Sequence, residues 1–139
     1  MDFDRLREII EEGLPFNKWL GIKVAELAEG RVRLRIPFKP ELIGDPRRPA
    51  LHGGVLSTLV DVTGGFAVWT SCHLEDRIAT IDLSVDYLRP AGAQDLYAEA
   101  EVRLLGNRVG NAHVVLWSAD APDRHVAVGR AVYNIRRGK

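Results

Sequence analysis

A single cysteine stands among the 139 residues of this chain, so neither an intramolecular disulfide nor a cysteine metal cluster can form. A reducing, cytoplasmic setting is the expectation. That residue, Cys72, reads as a small apolar side chain near the end of a helix, since nothing in its local sequence would depress its pKa and make it a nucleophile. Net charge is missing as well: nineteen Lys and Arg offset nineteen Asp and Glu, with no basic block. Binding to nucleic acid or to a membrane surface through net charge is thereby disfavoured. No apolar run reaches membrane-spanning length, and the start, Met1-Asp2-Phe3-Asp4-Arg5-Leu6-Arg7-Glu8, is acidic and amphipathic, unlike a signal peptide. Repeats, low-complexity tracts and linkers are also lacking. Residues 1–139, with 46% apolar composition, therefore suit one domain that can bury a core.

What the chain does have is Leu51-His52-Gly53-Gly54-Val55-Leu56-Ser57-Thr58-Leu59-Val60-Asp61, a histidine and two glycines opening a helix that carries a carboxylate two turns in. On a helical wheel Val55, Leu56, Leu59, Val60, Val62, Phe66, Ala67 and Trp69 cover most of the circumference, so the helix is expected to be buried nearly all round. One narrow strip differs. Ser57, Thr58, Gly64 and Gly65 lie three and four positions from Asp61, with Gly54 almost directly above it. Each helical glycine costs about 1 kcal/mol relative to alanine, so gathering them on one strip implies a close neighbour there, either another backbone or a ligand.

The remaining pattern is a short helix, two strands, the long helix, then strands only. Residues 3–12 fit a first helix closed by Gly13 and followed by Pro15. Arg31-Val32-Arg33-Leu34-Arg35-Ile36 alternates strictly, and Ile22 to Leu27 ahead of Glu29-Gly30 is its hairpin partner. Residues 38–51, holding Pro40, Gly44, Pro46 and Pro49, read as a loop. Beyond the helix, Ala79, Ile81, Leu83, Val85 and Tyr87 alternate with Thr80, Asp82, Ser84 and Asp86, and Leu96–Leu105, Ala112–Ala119 and Val126–Ile135 follow as strands. Short connections predict that successive strands are antiparallel neighbours. The fold class is therefore α+β, a curved antiparallel sheet of about six strands wrapped around one long central helix.

His52-Gly53-Gly54 with Asp61 downstream, followed by Asp82-Leu83-Ser84-Val85-Asp86-Tyr87-Leu88-Arg89-Pro90, resembles the hotdog-fold acyl-CoA thioesterases of the phenylacetate-degradation type over roughly residues 20–136. The resemblance implies a homodimer or a dimer of dimers, with active sites at the interface that take the helix start from one subunit and the acid from the other. It also implies hydrolysis of an aryl- or medium-chain acyl-CoA to free acid and CoA, with neither metal nor organic cofactor. His73, His113 and His125 show no ligand spacing either.

The chemistry suits these residue types. A thioester carbonyl under attack develops negative charge on oxygen, and N–H groups at a helix N-terminus are fixed donors aided by the helix dipole. By the resemblance the Gly53 N–H is that donor, and Gly54 lets the thioester approach the backbone. Asp61 is the general base that activates water, or the nucleophile that forms a mixed anhydride; its sequence position leaves both open. A carboxylate that only caps a backbone group is the alternative, against which stands the cost of burying an idle charge in an apolar helix. His52 is expected to orient the glycine turn.

Thr80 falls where relatives of this type place a Ser or Thr that helps hold the water, although its place in the strand alternation equally suits an exposed position. The family's Asn or Gln before the His-Gly-Gly is replaced here by Gly44-Asp45-Pro46-Arg47-Arg48-Pro49-Ala50, with Asp45 the candidate substitute. Ser57, Thr58 and Gly65 are candidate substrate contacts on the Asp61 strip. Arg89 and Arg108, ahead of Arg47 and Arg48, are candidates for the CoA phosphates. Trp69, Phe66 or Trp19 are candidates for the acyl pocket. Two other functions fit the same sequence: a non-catalytic acyl-CoA or acyl-carrier-protein binding module, and an acyl-thioester dehydratase on the same fold, whose motif is missing.

Overall fold

A computed structural model describes residues 1–138. Helix α1, Phe3–Glu8, starts at Asp2, whose carboxylate accepts from the Arg5 N–H (3.0 Å), and continues as a π-helical turn over Ile9–Gly13. Leu6 and Ile10 are its buried contacts with the core. Pro15, expected only to follow the end of this helix, opens a second one, α2, Pro15–Leu20. Proline is suited to the first helical position, where the N–H has no partner anyway. The hairpin β1 (Lys23–Ala28) and β2 (Arg31–Ile36) follows the alternation expected of it. Val32, Leu34 and Ile36 are buried, while Arg33 and Arg35 reach outward to Glu99 (2.9 Å) and Asp95 (3.1 Å).

The segment read as a loop contains a small hairpin of its own, β3 (Ile43–Asp45) and β4 (Ala50–Leu51), before helix α3, Gly53–Trp69. Four long strands complete the chain: β5 (Arg77–Tyr87), β6 (Leu96–Leu105), β7 (Val109–Ser118) and β8 (His125–Arg136). The six-stranded antiparallel sheet runs β1-β2-β6-β7-β8-β5, and α3 packs against it.

Successive strands pair at β1–β2, β6–β7 and β7–β8, but the expected pairing of β5 with β6 is wrong. β5 lies at the sheet edge on β8, and β6 lies between β2 and β7. A short connection makes a hairpin only when its backbone is free to turn back. Residues 88–95 are instead held by β4, through Leu51 N–H to Ala91 O (2.8 Å) and the Ala50–Gly92 bridge.

Leu56, Leu59, Val60, Phe66 and Ala67 of α3 enter the main core. The helix meets β8 so closely that a Cβ at Gly129 would stand 2.5 Å from a Val60 methyl, so only glycine fits that crossing. Among the described residues no helix is long and apolar enough to cross a membrane.

Asp76, in the turn between α3 and β5, ties the C-terminal segment to the helix end. Its carboxylate accepts from the His73 N–H (2.9 Å), the Gly138 N–H (2.8 Å) and Arg137 Nη1 (3.0 Å). These donors, the His73 N–H foremost, hold the carboxyl below the ordinary aspartate range. A depressed folded-state pKa contributes stability above the unfolded value, near pH 4, that is lost as pH falls through the folded value. The melting-temperature gap between wild type and Asp76→Asn is thus expected to be constant from pH 8 to about pH 5 and to close in stronger acid. A gap that stays equally wide as the pH falls well below 4 would refute the assignment.

Candidate active site

Helix α3 is not buried all round, as its composition suggests. Thr58, Asp61, Val62, Gly65 and Trp69, spaced three and four apart, form a half-exposed strip on one face. An apolar cavity of about 390 Å³ opens along it, lined by Val62, Gly65, Phe66, Trp69 and Ile78 together with Asp61, Thr80 and Tyr133. Phe66 and Trp69 stack within this wall at 5.8 Å between centroids. Trp19 lies elsewhere, exposed on the outer face of α2 and stacked with Phe16 beneath the Lys39 ammonium.

Thr80 reaches this site because β5 is bulged. Thr80 pairs with Tyr133 and Asp82 with Val132, which leaves Ile81 unpaired and 59% exposed. A bulge shifts the in-out parity of a strand by one residue. Before it Ile78 and Thr80 turn toward the helix; after it Leu83 and Val85 do, packing on the core. Thr80 therefore leaves the polar face that it shares with Asp82 and Ser84 in the sequence alternation. Its hydroxyl donates to Asp61 Oδ1 at 2.6 Å. One carboxylate oxygen is thereby oriented.

The small-residue strip has an occupant from the chain itself. A Cβ at Gly64 would stand 2.6 Å from the Tyr133 hydroxyl oxygen, and one at Gly65 would stand 3.3 Å from its ring. The phenol of β8 fills that space and donates to the Asp61 main-chain carbonyl (2.6 Å). Burial, reinforced by the Asp61 charge, pushes the phenol well above the usual tyrosine range, so it stays protonated and a donor. Tyr133 was not among the residues singled out from sequence. The glycine pair was the available signal.

At the helix start, His52 Nδ1 accepts from the Gly54 N–H (2.8 Å) and the His52 carbonyl accepts from Val55 N–H (2.9 Å). The Gly53 N–H, the first of the helix, has no acceptor among the described residues. Tyr87, also not anticipated, lies over Gly53 and donates to its carbonyl (3.2 Å), with the Ser57 hydroxyl in hydrogen-bond contact. Ser57 and Thr58 direct their hydroxyls to the carbonyls of Gly53 (3.3 Å) and Gly54 (2.8 Å), one turn earlier. Gly53, Tyr87, Arg48 and Arg89 line a second recess of about 310 Å³.

Asp45 is the last residue of β3, at the mouth of the β3–β4 turn. Both its oxygens are engaged, Oδ1 by the N–H and Nε of Arg47 (3.0 and 3.2 Å) and Oδ2 by Arg48 Nε (3.1 Å). The Arg47 side chain is the main cause that its carboxyl lies below the ordinary range. Arg89 donates to the His125 carbonyl. Arg108 lines a separate recess with Asn134 and Arg136. In register terms Asn134 faces Ala79 at the start of β5, whereas Arg89 follows its end, so the two arginines are roughly 30 Å apart along the strands. Asp61 and Gly53 are likewise about 12 Å apart along the helix axis at 1.5 Å per residue.

Residues 49–123 match the model of the thioesterase superfamily. The medium/long-chain acyl-CoA thioesterase YigI of Salmonella typhimurium is 30% identical over 135 residues, covering 88% of this chain and 86% of that protein. A candidate esterase of Halobacterium salinarum is 40% identical over 126 residues, covering 86% and 83%. A solved protein of Shewanella oneidensis related to the thioesterase superfamily superposes with a TM-score of 0.83 at 32% identity, covering 96% and 94%. The sheet order, the packed helix and these matches agree: the chain belongs to the thioesterase superfamily, a thioester hydrolase built on the hotdog fold.

Proposed function

We propose that this protein hydrolyses aryl- or medium-chain acyl-CoA thioesters to the free acid and CoA, with Asp61 as general base or nucleophile and the Gly53 N–H polarising the thioester carbonyl. The observation that carries this reading is the Asp61 carboxylate, held at one oxygen by Thr80 in the wall of an apolar cavity. Its other oxygen is available to take a proton from water or to attack the carbonyl. The cavity receives the acyl group, with the Phe66–Trp69 stack along its wall. Arg89 and Arg48, beside Gly53, supply positive charge for the phosphates of CoA. The relative named as a medium/long-chain acyl-CoA thioesterase supports the medium-chain acyl-CoA part of this reading.

Asp61 and Gly53 of one chain are too far apart for one carbonyl, so the reading requires two copies. The edge strand β5 supports such a pairing, since its outer N–H and C=O groups are unpaired and Ile81 is exposed on it. Antiparallel pairing of two β5 strands carries the start of one strand toward the end of the other. That brings one copy's Arg108 end toward its partner's Arg89 end. A reducing compartment such as the cytoplasm fits the single, unbridged Cys72.

The test is a panel of acyl-CoAs with a thiol-reactive dye. Release of CoA from aryl or medium-length substrates is expected. Binding without thiol release, or hydration of an enoyl-CoA with the thioester intact, would overturn the proposal. In the same panel, Trp69→Leu is expected to raise the ratio of kcat/KM for long over short chains by about tenfold, the scale on which one or two methylenes are discriminated in an apolar pocket. An unchanged ratio would remove Trp69 from the acyl pocket.

A further inference from the structure

We propose that Tyr133 is a positioning residue for hydrolysis, bracing from β8 the helical turn that carries Asp61. The inference rests on the reading of Asp61 as the reacting carboxylate, and it goes beyond that reading by naming what holds the acid in place. Tyr133 and Thr80 are direct register partners on neighbouring strands. Their side chains hold the same residue at two points: Thr80 at the Asp61 carboxylate, Tyr133 at its main-chain carbonyl, each at 2.6 Å. Two such contacts fix both the position of the Asp61 backbone and the direction of its side chain.

The brace is needed because the helix is weak at this point. Gly64 and Gly65 lie directly after the turn that bears the acid, and paired glycines make a helix interior its most deformable stretch. The same glycines create the space for the phenol, since any larger side chain at Gly64 would collide with its hydroxyl. Glycine pair and tyrosine thus form one device: the helix gives up intrinsic rigidity and receives it back from the strand that also carries Thr80's partner position. Burial keeps the proton on the phenol, so it remains a donor at neutral pH. Tyr133 makes no contact with the reacting atoms in this scheme. It acts through Asp61.

The experiment measures steady-state hydrolysis of the best acyl-CoA by the full-length protein, together with thermal midpoints. Tyr133→Phe keeps the ring and its packing but removes the donor. It is expected to lower kcat about tenfold with KM unchanged, the rate equivalent of one well-made hydrogen bond. Gly64→Ala leaves the hydroxyl in the chain but displaces it, and is expected to reproduce the kcat loss. The double variant is expected to fall no further than the larger single loss, because both remove one contact. A merely structural tyrosine would lower the thermal midpoint while the folded fraction kept its kcat. Asp61→Asn separates the two levels of the argument. If Asp61→Asn retains turnover, the underlying reading fails. If it is inactive while Tyr133→Phe matches wild type in kcat, the brace alone is refuted.

Discussion

Asp61→Asn is expected to lower kcat for acyl-CoA hydrolysis by about 10³-fold, within the range that positioned proton transfer contributes. Asparagine is the informative replacement because it preserves shape. Its amide oxygen still accepts from the Thr80 hydroxyl that now lies 2.6 Å from Oδ1, and the Tyr133 contact to the main chain is untouched. What is lost is the negative charge and, with it, the capacity to take a proton or to form an anhydride. KM and the thermal midpoint should therefore remain close to wild type, since the apolar cavity keeps its walls and no apolar contact is removed. A variant that retains a tenth or more of wild-type kcat would show that the carboxylate is structural. A collapse in thermal midpoint would show that Asp61 is part of the fold's support.

The way Asp61 is held also shows where sequence reasoning succeeds and where it stops. The alternation of Arg31 to Ile36 and of the later strands encodes one buried face, and the structure honours it through Val32, Leu34 and Ile36. The apolar helix with one strip of small residues was likewise readable, because a wheel position depends only on spacing. The occupant of that strip was not. Whether Gly64 makes room for a ligand or for Tyr133 depends on which strand crosses the helix there, a contact between residues 69 positions apart in the chain. Strand order failed for the same reason at β5 and β6, where a short linker is anchored by β4 and cannot turn back.

Thr80 illustrates a subtler limit. Strict alternation across residues 79–87 places it on the polar face, and periodicity alone has no means of detecting one extra residue in a strand. The bulge at Ile81 reverses the parity and turns Thr80 toward Asp61 on the helix, where it stays exposed. An isoleucine left exposed on an edge strand is the result in the structure, while in the sequence Ile81 fits the apolar alternation without a break. The helix start was more transparent, since the capping of Gly54 by His52 is local and spans only two positions. Tyr87, which covers Gly53 from the far end of β5, again required the tertiary fold.

Gly53→Pro is expected to lower kcat by about 10²-fold or more, the loss typical of deleting one oxyanion donor. Most substitutions at a glycine change several things at once, but this site allows one to be changed almost alone. Gly53 is the first residue of α3, the position at which proline is best tolerated in a helix. His52 before it has φ −61° and ψ 134°, the extended conformation that proline requires of its predecessor. The Gly53 N–H donates to nothing among the described residues, so its removal breaks no internal hydrogen bond. The Gly54 and Val55 N–H groups keep their His52 acceptors. The Cβ that proline adds would meet first the Tyr87 ring, at 3.4 Å. Gly53→Ala adds that same Cβ while keeping the donor, and so measures the steric part. A large kcat loss in the proline variant with a small one in the alanine variant assigns the effect to the N–H. Equal losses would assign it to crowding by Tyr87 and remove Gly53 from the chemistry. Mixed dimers make the test sharper. The proposed two-copy site would take its donor from one chain and its carboxylate from the other, so combining Gly53→Pro with Asp61→Asn chains should restore activity in the heterodimer, where one of the two sites is intact.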